Sequence, residues 1–161
     1  MHPLVKTLIF TIIVPGTVTV YGPYLLLPED AKFSLEGSRL IGIVPLAVGI
    51  AVYLWCAWDF AMTGRGTPAP IDPPKVLVTR GLYRIVRNPM YIGVLFILIG
   101  EVIIFSSWIL LIYVSLAFMM VNMFIFLYEE PTLRKQFGTT YEEYCKNVPR
   151  WMPKLKRNNA G

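Results

Sequence analysis

Histidine is almost missing from this chain: His2, at the terminus, is the only one. Catalysis by a histidine, a zinc site and a pair of haem ligands are all disfavoured on that ground. Cysteine is nearly as scarce. Cys56 stands in an apolar stretch and Cys145 in a basic tail, so neither a disulfide framework nor a metal-ligand spacing is present. Charge is sparse as well, at 16% of residues against 55% hydrophobic. With a mean hydropathy of +0.56, this balance argues for a membrane protein and against a soluble one. A compact polar domain that could present basic residues to nucleic acid is lacking, so nucleic-acid binding is not expected. Monomer is the default reading.

What is there is a set of long apolar runs. Residues 4–27 form the first, with Lys6 near its start and Tyr21 and Tyr24 near its far end, where an aromatic belt would lie. A signal peptide would have a shorter apolar core and a small-residue cleavage site. This run ends instead in Leu-Leu-Leu-Pro and reads as a membrane helix, with Pro15-Gly16 and Pro23 expected to kink or fray it. A polar loop over 28–39 leads to a second span, about 40–62, whose far end carries Trp55, Trp58 and Asp59. Asp59 is either solvated at the interface or part of a polar site. Residues 63–75 are rich in Gly and Pro and read as an irregular loop. After Pro89 the chain is apolar for about forty residues, enough for two spans, divided at Ser106-Ser107. A tight hairpin with its turn near 105–108 is expected. Glu101, just before that turn, either reaches water or is buried and paired.

The expected fold is therefore all-α: a polytopic membrane protein of about four transmembrane helices, including a C-terminal helical hairpin. Residues 1–161 form one domain, with two N-terminal spans in 1–62. Of the fifteen Lys and Arg, only Lys32 and Arg39 fall on the face opposite the termini. That asymmetry places both termini in the cytoplasm.

Two stretches on the basic face carry more than topology requires. Residues 78–93 pack Arg80, Arg84 and Arg87 among Tyr83, Tyr91, Gly81 and Asn88-Pro89. They read as a turn, a short basic helix, a break and entry into an apolar helix. Lipid-surface anchoring accounts for the arginines alone. Glu129-Glu130-Pro131 places two carboxylates at the end of the last span, where the helix dipole disfavours negative charge. Either a cation binds there, or Pro131 opens a new helix with the glutamates at its N-terminus. Beyond it, Phe137, Tyr141, Tyr144 and Val148 fall on one helix face. This suggests a cytoplasmic interfacial helix or, more sharply, a lid across a site. Trp151 and the basic tail suit an interfacial anchor.

The ordered set Leu-Val-x-x-Gly-x-Tyr-x-x-x-Arg-Asn-Pro-x-Tyr-x-Gly, a hairpin, Glu-Glu-Pro-x-Leu-x-x-x-Phe-Gly-x-x-Tyr-x-x-Tyr and Val-Pro-Arg-Trp, over about 63–153, resembles the isoprenylcysteine carboxyl methyltransferase and phospholipid methyltransferase superfamily. The resemblance is closest to small prokaryotic members. It implies an S-adenosyl-L-methionine-dependent integral-membrane enzyme, with 63–161 forming the cofactor-binding loop, hairpin and interfacial helix. It further implies that Lys75, Val76, Leu77 and Val78 line the cofactor through backbone groups. Tyr83, Arg87, Asn88, Met90, Tyr91, Glu129 and Glu130 would complete the pocket. Asn88 stands where the family usually has histidine, which keeps hydrogen bonding and removes a titratable group. The prenylcysteine enzymes' substrate-carboxylate arginine falls here near Ile125.

The cofactor's cationic groups give Glu129 and Glu130 partners, and its carboxylate suits Arg84 or Arg87. Methyl transfer is an in-line displacement that needs orientation and exclusion of water, not a dedicated nucleophile. If the acceptor is an amine, Glu130 or Tyr91 is the candidate to take its proton. The expected partners are the lipid bilayer and a lipophilic methyl acceptor, with a phospholipid amino headgroup favoured and no metal. An isoprenylcysteine carboxylate or a thiol is the alternative acceptor. From other classes, a sterol-reductase-like protein and a non-enzymatic membrane interaction protein remain open.

Overall fold

A computed structural model describes residues 3–28, 37–64 and 75–153. Among these residues there is no strand, and most of them are helical. Helix α1 (Pro3–Gly16) runs through a π-helical segment (Thr17–Tyr21) into α2 (Gly22–Leu26). The expected disturbance at Pro15-Gly16 takes the form of this widened turn. Pro15 lacks an N–H to donate, and the Thr19 hydroxyl donates to the Pro15 carbonyl at 2.8 Å. A 3-10 turn (Gly37–Gly42) opens α3 (Ile43–Asp59), which passes into a second π segment, Phe60–Gly64. A further 3-10 turn, Gly81–Arg84, precedes α4 (Pro89–Phe105). Helix α5 (Trp108–Phe124) continues through a third π segment (Ile125–Glu129) into α6 (Glu130–Phe137), and α7 (Thr139–Asn147) follows.

Among the described residues, three helical stretches are long and apolar enough to cross a membrane: Val5–Leu26, Arg39–Thr63 and Trp108–Phe137. The fourth, Pro89–Phe105, is shorter, at about 25 Å by helical rise. The hairpin turn lies where the sequence places it. Ser106 adopts the left-handed conformation at φ 48°, and the Ser107 hydroxyl caps α5 by accepting from the Leu110 N–H at 3.4 Å. Glu101 is half-buried, and its Oε2 is enclosed without a partner. The polar loop over 28–39 and the Gly/Pro-rich loop over 63–75 lie largely outside the described residues.

The most extensive helix contact is between α3 and α4, and glycine makes it possible. Gly42, the last residue of the 3-10 turn that opens α3, and Gly49 on α3 face Gly100 and Gly93 on α4. A Cβ added at Gly49 would lie 2.6 Å from both the Gly93 carbonyl oxygen and the Ile97 nitrogen. One added at Gly100 would lie 2.8 Å from the Gly42 carbonyl. The obstacles are backbone atoms, so only glycine permits this approach. The seven-residue interval on both helices keeps the seam on one side of each.

One open choice is settled and one expectation needs correction. Asp59 is not solvated: it is 3% exposed and paired with Arg80. Residues 137–148 are not one helix. Gly138, at φ 54°, breaks the run between α6 and α7, although Tyr141, Tyr144 and Val148 still turn inward.

Candidate active site

Gly81 sets the first wall. Its φ is +56°, and a Cβ there would lie 2.1 Å from Asp59 Oδ2. The turn therefore closes directly over the end of α3, with Arg80 Nε 3.0 Å from Asp59 Oδ1. This places Tyr83 inward, buried, its ring 6.4 Å from that of Phe60. Burial raises the Tyr83 phenol well above its ordinary value. Burial also raises Tyr141 and Tyr144, so all three remain neutral donors. The Tyr144 hydroxyl donates to the Tyr83 carbonyl at 2.6 Å, which brings α7 across the turn.

Asn88 occupies the N-cap position of α4 but makes no side-chain cap bond. Its amide is buried, and Nδ2 has no partner. One turn on, the Tyr91 hydroxyl donates to Glu129 Oε2 at 2.8 Å. Glu130, the next residue, is arranged differently. Arg150 donates from Nε to Oε1 and from Nη2 to Oε2, both at 2.9 Å, and Arg87 Nη1 donates to Oε1 at 3.1 Å. Arg87 Nη1 also donates to Cys145 Sγ at 2.8 Å, while its Nε is buried without a partner.

Several of these groups border a cavity of about 210 Å³. Its polar end is made by Arg87, Asn88, Tyr91, Glu129 and Glu130, with Tyr83, Tyr141 and Tyr144 around them. Its other end is apolar. Phe10, Val14 and Val18 on the α1 side, at intervals of four, face Val121, Phe124 and Ile125 on the α5 side. Each of the three π segments contributes to the wall, through Val18, Phe60 and the run that includes Ile125, Tyr128 and Glu129. Wide turns of this kind recur at functional sites.

A helical bundle with paired glutamates beside an Asn-Pro helix start narrows the choice of family, and one comparison decides it. The sequence model of the phospholipid methyltransferase family matches residues 38–140. The chain belongs to the phospholipid methyltransferase family. It is accordingly an integral-membrane methyltransferase of a family that acts on lipids. No curated protein and no solved structure matches the chain. The family match takes in the whole second span, which the motifs at 63–153 had left out.

In this methyltransferase, Leu77, Val78, Tyr83, Arg87, Asn88, Met90, Tyr91, Glu129 and Glu130 all border one cavity. Lys75 and Val76 are exposed and stand outside its wall. Arg84 is exposed too, which leaves Arg87 as the motif arginine at the cavity. Sequence reasoning missed Arg150, taken there for an anchor, and it missed the α1 wall. The spacing of Phe10, Val14 and Val18 was a signal for the latter. Asn122, an amide in an apolar run, was a signal for the docking of the segment that holds Arg150: its Oδ1 accepts from Trp151 Nε1 at 3.1 Å.

Proposed function

We propose that the protein transfers a methyl group from S-adenosyl-L-methionine to the amino headgroup of a membrane lipid, with both termini and the polar end of the cavity on the cytoplasmic side. The observation that carries this reading is the cavity's polarity: unpartnered donors and a carboxylate at one end, apolar walls on two membrane helices at the other. Asn88 Nδ2 and Arg87 Nε are buried donors without partners, which suits a bound carboxylate. Glu129 faces the same space and suits a bound ammonium. When bound, S-adenosylmethionine supplies an activated methyl group. The chain's own work is to orient the acceptor and keep water out. Phe10, Phe60, Phe124 and the tyrosine rings make up the water-excluding wall.

An ammonium acceptor must lose a proton before it can attack. Tyr91 and Glu129, joined at 2.8 Å, are the groups placed to take it. Glu130 suits that role less well, because both its oxygens already accept from guanidinium groups. A carboxylate acceptor finds no cation at Ile125, which is 1% exposed and flanked by Phe124 and Phe126; this favours the amine.

Calorimetry of S-adenosylmethionine against the purified protein in nanodiscs, with Glu129→Gln alongside, tests the reading. Saturable binding that weakens by about ten- to a hundredfold in a variant of unchanged melting temperature is expected. Labelled methyl groups should then appear in amino-lipids. Absence of binding by well-folded wild type at millimolar ligand sinks the proposal.

A further inference from the structure

The segment after α7 is tied back to the bundle at three separate points, two of them on residues of the cavity's polar end, Arg87 and Glu130. Arg150 holds Glu130 through two 2.9 Å bonds. The Arg87 N–H donates to the Pro149 carbonyl at 2.8 Å. Trp151 donates to Asn122 and packs its ring 5.3 Å from that of Phe118 on α5. Neighbouring residues on a helix point about 100° apart, and the adjacent glutamates divide accordingly. Glu129 meets Tyr91 in the cavity. Glu130 is gripped by two guanidinium groups, with its side chain only 10% exposed.

We propose that Glu130 and Arg150 form a latch that holds the segment around Val148–Trp151 against Arg87 and Glu130, two residues of the cavity's polar end, making Arg150 a positioning residue for methyl transfer. This rests on the cofactor reading above and deepens it, since it assigns the two glutamates different tasks. Glu129 is left for the ligand, while Glu130, also at the cavity wall, is taken up by the strap. The planar fork of arginine is what the bidentate grip needs, and lysine supplies only a point charge. The grip has a second consequence through Arg87. That residue contributes its side chain to Glu130 and its backbone N–H to Pro149, so the strap and the residue preceding Asn88 are ordered together.

The Arg87 amide is a reporter of the closed strap that needs no ligand. Hydrogen exchange at that amide is compared in wild type, Arg150→Gln, Arg150→Lys and Glu130→Gln, with the α3–α4 amides as a folding control. S-adenosylmethionine dissociation rates are measured on the same proteins. In Arg150→Gln the Arg87 amide should exchange about tenfold faster or more while the α3–α4 amides are unchanged. The ligand should dissociate about tenfold faster with little change in association. Arg150→Lys should fall between. Unchanged protection of the Arg87 amide in Arg150→Gln overturns the latch. So does loss of binding in Glu130→Gln with the strap amides still protected, which makes Glu130 a ligand. If wild type binds no S-adenosylmethionine, the cofactor reading fails, and the exchange comparison still decides the latch.

Discussion

The two sides of α4 are packed in opposite ways. Toward α3, Gly93 and Gly100 meet Gly49 and Gly42 with backbone almost touching backbone. Away from that seam, Met90, Tyr91 and Val94 look into the cavity between the α1 and α5 walls. One side has no room for a methyl group, and the other leaves room for a ligand. Within the membrane, apolar burial gives helices little reason to associate, so close backbone packing has to supply the cohesion. The comparison shows a division of labour: a tight pair that places Asn88 and Tyr91, and a looser pair whose separation makes the apolar end of the cavity.

Substitutions can break that contrast. The largest effect is expected at the seam. Gly49→Leu forces α3 and α4 apart, because the obstacles are main-chain atoms. It should lower stability by about 3 kcal/mol or more, read as a fall in the thermal midpoint in detergent. An unchanged midpoint would mean that the seam is not what holds the pair. On the loose side, Val14→Trp fills the groove from α1. It should raise KM for the lipid acceptor about tenfold, against roughly 1.4 kcal/mol, with S-adenosylmethionine affinity and midpoint unchanged. A fall in cofactor affinity instead would mean that the two ends of the cavity are not separate.

A smaller and more diagnostic effect belongs to Asn88, where the two sides meet. Removing a buried donor that has no protein partner should leave stability unchanged or slightly improved, while a ligand bond worth about 1 kcal/mol is lost. Asn88→Leu should therefore weaken cofactor binding about fivefold without lowering the midpoint. Parallel losses in both would show that the amide serves the fold. The smallest effect is expected at Arg84, which is exposed and borders neither side. Arg84→Gln should change stability by no more than about 0.5 kcal/mol and leave both kinetic constants alone.

The helices were legible because lengthy apolar runs and a Ser-Ser turn leave few alternatives. The polar end of the cavity was legible in type, since Asn-Pro and Glu-Glu-Pro are unusual at the ends of apolar helices. What was not legible depends on contacts distant in sequence. Asp59 looked like an interfacial charge because its partner, Arg80, and its cover, Gly81, lie beyond an irregular loop. Arg150 looked like a membrane anchor because Glu130 is twenty residues away. The π turns were hidden as well: an extra residue in a turn leaves an apolar helix apolar. The glycine seam could have been read from the matching intervals, Gly42 to Gly49 and Gly93 to Gly100.

Every charged group at the cavity lies at one end of the bundle, while its apolar walls extend toward the other. An enzyme built this way has a handedness with respect to the bilayer. On the proposed reading it draws on lipids of a single leaflet, the one whose headgroups would lie level with Glu129 and Tyr91. Lipids of the opposite leaflet are out of its reach until they cross. In sealed vesicles with the protein inserted one way round, methylation should stall with about half the amino-lipid unconverted, and further conversion should then follow the rate of transbilayer exchange. The placement of a few side chains at one end of four helices would then make methylation a measure of lipid asymmetry.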